Sequence, residues 1–196
     1  SSNGAKSKLE ETISRIGVLD EKAMTEARHR QNRLTKPQGS LGTLEELSIR
    51  VAGITGQPIP TIKDKVIIVA AGDHGIAQEG VSAYPQEVTA QMVLNFLRGG
   101  AAVNVLAQHV GARVVVVDAG VAADLEPHPE LKSVKLAKGT GNIAKGPAME
   151  REHAQRIVEE GIRIVEEEIG KGADLIGTGD MGIANTTPSA AIIAVM

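Results

Sequence analysis

The residues best suited to chemistry lie near the end of the chain, in Gly177-Thr178-Gly179-Asp180-Met181-Gly182-Ile183-Ala184-Asn185-Thr186-Thr187-Pro188. The preceding Ala173-Asp174-Leu175-Ile176 reads as a strand, and the following Ser189-Ala190-Ala191-Ile192-Ile193 reads as a helix. A strand that turns through glycines onto a helix start presents backbone N–H groups and roughly half a positive charge to a ligand, which favours an anion, most often a phosphate. Asn185, Thr186 and Thr187 add short side-chain donors, and Pro188 suits the first helical position. The expected phosphate cradle is therefore Thr178, Gly179, Asp180, Met181, Gly182, Asn185, Thr186 and Thr187.

Two further segments carry an acid beside glycine after a β-branched run: Gly72-Asp73-His74-Gly75 and Asp118-Ala119-Gly120. In open α/β sheets, ligands bind beyond the carboxyl ends of the strands, so three such ends at one sheet edge point to a site. Singly, each acid can equally cap a turn. His74 can act as acid, base or hydrogen-bond donor, or simply fix its turn. The spelling Gly177-x-Gly179-x-x-Gly182 matches a dinucleotide fingerprint. Its context does not, because that fingerprint belongs to the first βα turn and opens its helix within the glycines. The five histidines are scattered, with no H-x-x-x-H spacing, which argues against a histidine-based zinc site. Tyr84-Pro85 precedes a helix. Tyr84 either lines a flat apolar pocket or staples the helix entry, and Met92, at helical spacing from Val88 and Phe96, reads as core.

The elements that must position these residues follow from the apolar pattern. Over 6–55 the pattern is helical, with a short stripe of Leu9, Ile13 and Ile16. Asp20 is placed to cap a helix from Glu21 to about Leu34. After the turn-rich Lys36–Gly42, Thr43 and Glu46 spell a capping box for a third helix that buries Leu44, Leu47 and Val51 and stops near Gly56. Pro58 and Pro60 mark a boundary. Val66–Ala71 and Val114–Val117 are continuous β-branched runs, typical of strands buried on both faces of a parallel sheet. Helices are expected from Pro85 to Arg98, from Ala101 to Val110, and over 149–170. The last should present Ala154, Val158, Gly161, Val165 and Ile169 on one face, with an exposed Glu159–Arg163 pair. A third strand is expected at Ala173–Gly177. Alternating strands and helices predict an α/β fold: a Rossmann-like parallel sheet with helices on both faces, over 61–196, preceded by a smaller N-terminal helical layer over 1–60.

Composition excludes several classes. Hydrophobic residues make up 42% of 196 positions, but the aromatics are Tyr84 and Phe96 alone and net charge is −3. Nucleic-acid binding by base stacking on a basic surface is not expected. There is no cysteine, hence no disulfide, thiolate metal site or thiol nucleophile. No apolar run approaches the ~20 residues of a membrane span, and no signal pattern opens the chain, so cytoplasm is the default. Ser1-Ser2-Asn3-Gly4-Ala5 lacks an initiator methionine and reads as a remnant of expression.

Several segments together resemble one family, nicotinate-nucleotide–dimethylbenzimidazole phosphoribosyltransferase. They are Lys36-Pro37-Gln38-Gly39-Ser40-Leu41-Gly42 with Leu44-Glu45; Gly72-Asp73-His74-Gly75 with Glu79-Gly80-Val81; Tyr84-Pro85 with Val88-Thr89; Gly139-Thr140-Gly141-Asn142-Ile143 with Gly146-Pro147-Ala148-Met149; and Gly177 to Pro188. The resemblance runs from about residue 30 to the chain end. It implies a homodimer that transfers phosphoribose from nicotinate mononucleotide to 5,6-dimethylbenzimidazole, giving α-ribazole 5′-phosphate and nicotinate without a cofactor or metal. It places the phosphate on Gly179 to Thr187 and a flat base slot on Tyr84, Pro85, Thr89 and Met92.

Two departures accompany the resemblance. The family's general base is a glutamate of its C-terminal half, outside this sequence, which leaves Asp180, His74 and Asp73 as the acid–base candidates here. The loop acid is usually glutamate, whereas Asp180 is one methylene shorter. The 196 residues match the N-terminal half of the family, or slightly more, and are expected to be inactive alone. The rival readings are a nucleotide-binding protein without catalysis and a dinucleotide-dependent oxidoreductase.

Overall fold

The computed structural model describes residues 6–196; Ser1–Ala5, read above as an expression remnant, lies outside the described residues. The chain forms two compact units, Ser1–Ile62 and Lys63–Met196. In the first, α1 (Lys8–Arg15) is opened by a capping box in which Ser7 and Glu10 satisfy each other's backbone amides. Helix α1 buries none of its own residues, and Ile13 and Ile16 of the expected stripe are exposed. Asp20 caps α2 (Glu21–Arg33) by accepting the Ala23 amide at 2.9 Å, as its position predicts.

Helix α3 (Thr43–Thr55) corrects two expectations. Its cap is Gly42, at φ 55°, with no side-chain hydrogen bond, so Thr43 and Glu46 form no capping box. Glu45 turns back instead and accepts from Lys36 Nζ at 2.5 Å and from the Leu41 amide, and this hydrogen bonding, Lys36 foremost, holds its carboxyl below the usual range. The buried residues of α3 are Ala52 and Gly53, while Leu44 and Leu47 are exposed. The helices meet where side chains are small: Ala23 and Ala27 of α2 are also buried, and a Cβ on Gly53 would lie 2.6 Å from Met24.

The second unit holds a four-stranded, all-parallel sheet in the order β3-β2-β1-β4. Its strands are β1 (Lys65–Gly72), β2 (Ala112–Gly120), β3 (Leu131–Ser133) and β4 (Leu175–Met181). Alternation along the two central strands divides the core by face. Val69, Ala71 and Val116 pack with Val93 and Phe96 of α4 (Val88–Leu97), close to Ala101 at the start of α5 (Ala102–His109). Val66, Ile68, Val115 and Val117 pack with Ile164 of α6 (Arg151–Gly170). Helices therefore cover both faces, as the doubly buried strand runs predict.

The periodicity of α6 predicts burial of Val158 and Ile169, but both are about half exposed, and Ile164 and Glu168 are the buried pair. Arg163 pairs with Glu160, while Glu159 accepts from Gln155 at 3.1 Å. Glu168 is 1% exposed and sits between Arg113 at 2.8 Å and Lys171 at 2.9 Å. Burial pushes its carboxyl up, but the hydrogen bonds from those two cations outweigh burial and hold it below the ordinary value of 4.5. Neighbouring Glu167, hydrogen-bonded to Lys132 and Lys171, is held at about 2. Depressed carboxyl pKa values contribute stability above about 4.5 and lose it as pH falls through the folded values, so the unit should weaken on acidification below that point. Glu168→Ala is expected to cost about 1–3 kcal/mol, the range for removing a charged hydrogen-bonding partner whose own partners are half exposed, and to flatten the acid limb of stability against pH. Urea midpoints from pH 3 to 7 check both; a parallel acid limb in the variant would exclude Glu168 as its cause.

Candidate active site

In the strand order β3-β2-β1-β4, the neighbours of β1 leave it in opposite directions, β2 to one side and β4 to the other. This is a topological switch point, and the crevice beyond its carboxyl end is where such sheets bind ligands. The three strand-end acids arrive there with different fates. Asp118 is 1% exposed and fully engaged: one oxygen accepts the Gly120 and Val121 amides, and the other meets Lys135 Nζ at 2.9 Å. It shapes the turn that follows a register shift between β1 and β2. Asp73 is 4% exposed; Oδ2 accepts the Ala122 amide at 2.8 Å, while Oδ1 has no hydrogen-bond partner among the described residues. His74 Nε2 is likewise buried and unpartnered among them.

Asp73, His74 and Asp180, the three acid–base candidates, line one cavity of about 190 Å³ at this crevice, together with Thr140, Met149 and His153. The sequence alone did not assign those last three residues. Thr140 and Met149 come from a wall formed by the 139–149 segment, bolted onto the end of β1, and His153 comes from α6. The Thr140 amide donates to Asp73 O, Thr140 Oγ1 accepts the Gly75 amide, and Asn142 donates to Glu79 at 2.6 Å. A second, apolar cavity of about 350 Å³ adjoins it, sharing His74, Thr140 and Met149 and closed by Ile143, Ile192 and Val195 among others. The local signal for this wall was the Gly-rich spelling of 139–146, which places the backbone in reach of β1 without revealing where it docks.

The cradle itself differs from its sequence reading. Gly177, Thr178, Gly179, Asp180 and Met181 do not turn; they are strand residues of β4, in register with Ile67 to Ala71 of β1. The two glycines leave space for β1 side chains: a Cβ on Gly177 would lie 2.7 Å from Ile67 Cδ1, and one on Gly179 would lie 3.2 Å from Val69 Cγ2. The turn is confined to Gly182-Ile183-Ala184-Asn185, and α7 (Thr186–Val195) starts at Thr186, which puts Pro188 third in the helix rather than first. Asn185 does not offer its side chain outward, since its Nδ2 donates to Asp180 Oδ2 at 3.0 Å. The Asn185 and Thr187 amides close onto Gly182 O and Ala184 O. Thr186, exposed, and Thr187, half-buried, remain as hydroxyl donors at the helix start.

The four residues of the expected base slot do not share one wall. Tyr84 is 67% exposed and Pro85 is exposed. Thr89 is fully buried with its hydroxyl on the Ile183 amide, and Met92 packs against the Val93–Phe96 core. Tyr84 and Pro85 are the exposed members of the four, and Met92 is half-buried. Among the described residues no cluster of three or more His, Cys, Asp or Glu could hold a metal ion, and no helix is long and apolar enough to cross a membrane.

A family model described as a phosphoribosyltransferase, DBI_PRT, matches residues 16–196. The chain is 61% identical over 186 residues to the nicotinate-nucleotide–dimethylbenzimidazole phosphoribosyltransferase of Chloroflexus aggregans, covering 95% of this chain and 53% of that protein. It is 55% identical to the protein of that name from Geobacter sulfurreducens, again over 95% of this chain and 53% of the relative. The crystal structure of the Thermus thermophilus enzyme of that name superimposes with a TM-score of 0.87 at 48% identity, over 90% of this chain and 54% of that one. The chain thus spans about half the length of the curated relatives it matches. A parallel sheet that opens at its switch point onto the Gly182–Asn185 turn and the start of α7, and a family match over nearly all of the chain, lead to one conclusion: the chain belongs to the phosphoribosyltransferase family described by DBI_PRT.

Proposed function

We propose that this chain carries the nucleotide-binding part of an enzyme that transfers phosphoribose from nicotinate mononucleotide to 5,6-dimethylbenzimidazole, in cobalamin lower-ligand synthesis. A ring nitrogen of the benzimidazole attacks the anomeric carbon. The carbon–nitrogen bond to the pyridinium breaks and its electron pair leaves on nicotinate, while the benzimidazole N–H proton passes to a base. The product is α-ribazole 5′-phosphate. The observation that carries this reading is the loop from β4 to α7 at the switch point, where a helix start and two threonine hydroxyls offer a phosphate its donors. Tyr84 and Pro85 are the part of the proposed base slot open to a flat ring. Assembly as a homodimer and a cytoplasmic location belong to the same reading.

A binding role without catalysis is favoured by one observation: Asp118 and Asp180 are both hydrogen-bonded by neighbours, so the crevice holds few free acids. A dinucleotide oxidoreductase draws no support, because two of the three fingerprint glycines lie inside β4 instead of opening a helix. Calorimetric titration with nicotinate mononucleotide, NAD and 5,6-dimethylbenzimidazole separates the three, followed by an assay for α-ribazole phosphate. Binding of the mononucleotide with turnover supports transfer. Binding without turnover supports the second reading, and a preference for NAD would displace both.

A further inference from the structure

We propose that Thr89 is a positioning residue of the nucleotide site: its hydroxyl holds the Ile183 amide and thereby sets the loop that leads into α7. The proposal rests on reading the 182–187 segment as the phosphate site. Thr89 is fully buried, yet it is polar and sits on α4, 94 residues away from the amide it accepts at 3.1 Å. Ile183 and Ala184 are each only 8% exposed, so water does not replace that acceptor if it is removed.

The residue after Ile183 explains why the anchor matters. Ala184 has φ 71°, and it is the only non-glycine residue in the left-handed region among the described residues. A side-chain-bearing residue stays in that region only when its surroundings over-determine it. Here it is held from both sides. Thr89 fixes Ile183 before it, and Asp180 fixes Asn185 after it through the 3.0 Å bond to Nδ2. Without the first anchor, residue 184 can relax toward ordinary φ, and the first turn of α7, with Thr186 and Thr187, swings with it. The bond also ties the loop to the helix whose amino end carries Tyr84-Pro85, so one hydroxyl relates the proposed phosphate and base sides of the site.

Two substitutions separate positioning from packing. Thr89→Val keeps the shape and removes the acceptor; Thr89→Ser keeps the hydroxyl and removes a methyl. We expect Thr89→Val to weaken calorimetric binding of nicotinate mononucleotide by about tenfold or more, on the scale of one lost hydrogen bond to a buried amide, with Thr89→Ser near the unaltered chain. Amide exchange should show Ile183 protected in the unaltered and Ser chains and fast in the Val chain. A packing residue would give the reverse order, with Ser the more damaging change, and that result overturns the proposal. Mononucleotide binding that ignores Thr89→Val overturns the proposal alone and leaves the nucleotide site standing. No binding by the unaltered chain overturns the nucleotide reading itself, and the proposal with it.

Discussion

Replacing Thr186 and Thr187 together by valine should weaken binding of nicotinate mononucleotide by about 10²–10⁴-fold, if each hydroxyl gives the phosphate one charge-assisted hydrogen bond worth about 1.5–3 kcal/mol. Both residues lie in the first turn of α7, one exposed and one half-buried, and neither hydroxyl is needed to close the turn. Valine is also β-branched and nearly the same size, so the helix start should survive the change. Calorimetry with the mononucleotide measures the loss directly. Nicotinic acid, which lacks the phosphate, should show no comparable change. Unchanged affinity in a folded double variant would remove the phosphate from this helix start.

Gly182→Ala should be the most damaging single substitution in the loop. A Cβ there would overlap the Gly72 carbonyl oxygen and lie 2.8 Å from His74 Nε2. The first contact is the backbone of Gly72 at the end of the central strand β1, paired there with Gly120 of β2, so it cannot yield as the far end of a side chain would. The loop must lift away from β1, which takes Ile183 off Thr89 and opens the cavity shared by Asp73, His74 and Asp180. Overpacking of this kind costs about 1–3 kcal/mol and at times more. The control is Gly161→Ala in α6, where an added Cβ meets nothing within 4 Å and should stabilise by roughly 0.5–1 kcal/mol. Urea midpoints with unchanged m values report both. Equal midpoints for Gly182→Ala and the unaltered chain would mean that the close approach does not constrain the loop.

Much of the architecture was legible because its signals are local and dense. A β-branched run such as Val66–Ala71 or Val114–Val117 suits few structures other than a strand covered on both faces, and both faces are covered. Asp20 announces its helix because capping needs only the three residues that follow it. Where the signal lies in a partner, local reading fails. The T-x-x-E spelling at Thr43 is undone by Gly42, which takes the helix start, while Lys36 and the Leu41 amide hold the neighbouring Glu45 against the preceding turn. Helix α3 buries Ala52 and Gly53 instead of its leucines because the approach of α2 decides which face is covered. Strand β3, three residues long, carries too little pattern to stand out.

The same division runs through the site. By itself the sequence determined that three acids beside glycines lie at the ends of strand-forming runs, that a polar, threonine-rich segment leads into a helix, and that these motifs together resemble one family. All of these depend on residue types close together in the chain. Only the tertiary structure decided what each residue does. Gly177 and Gly179 have low strand propensity, yet they are strand residues because pairing with β1 leaves room beside them for Ile67 and Val69. Asp73 and Asp118 carry the same local signal, but Lys135 reaches Asp118 and leaves Asp73 Oδ1 without a partner among the described residues. Thr89, placed by the resemblance in a pocket wall, turns inward to an amide 94 residues away. Hydrogen bonds and close contacts act over a few ångströms of space, so the chain's long-range path, which no local pattern encodes, assigned each of these residues its work.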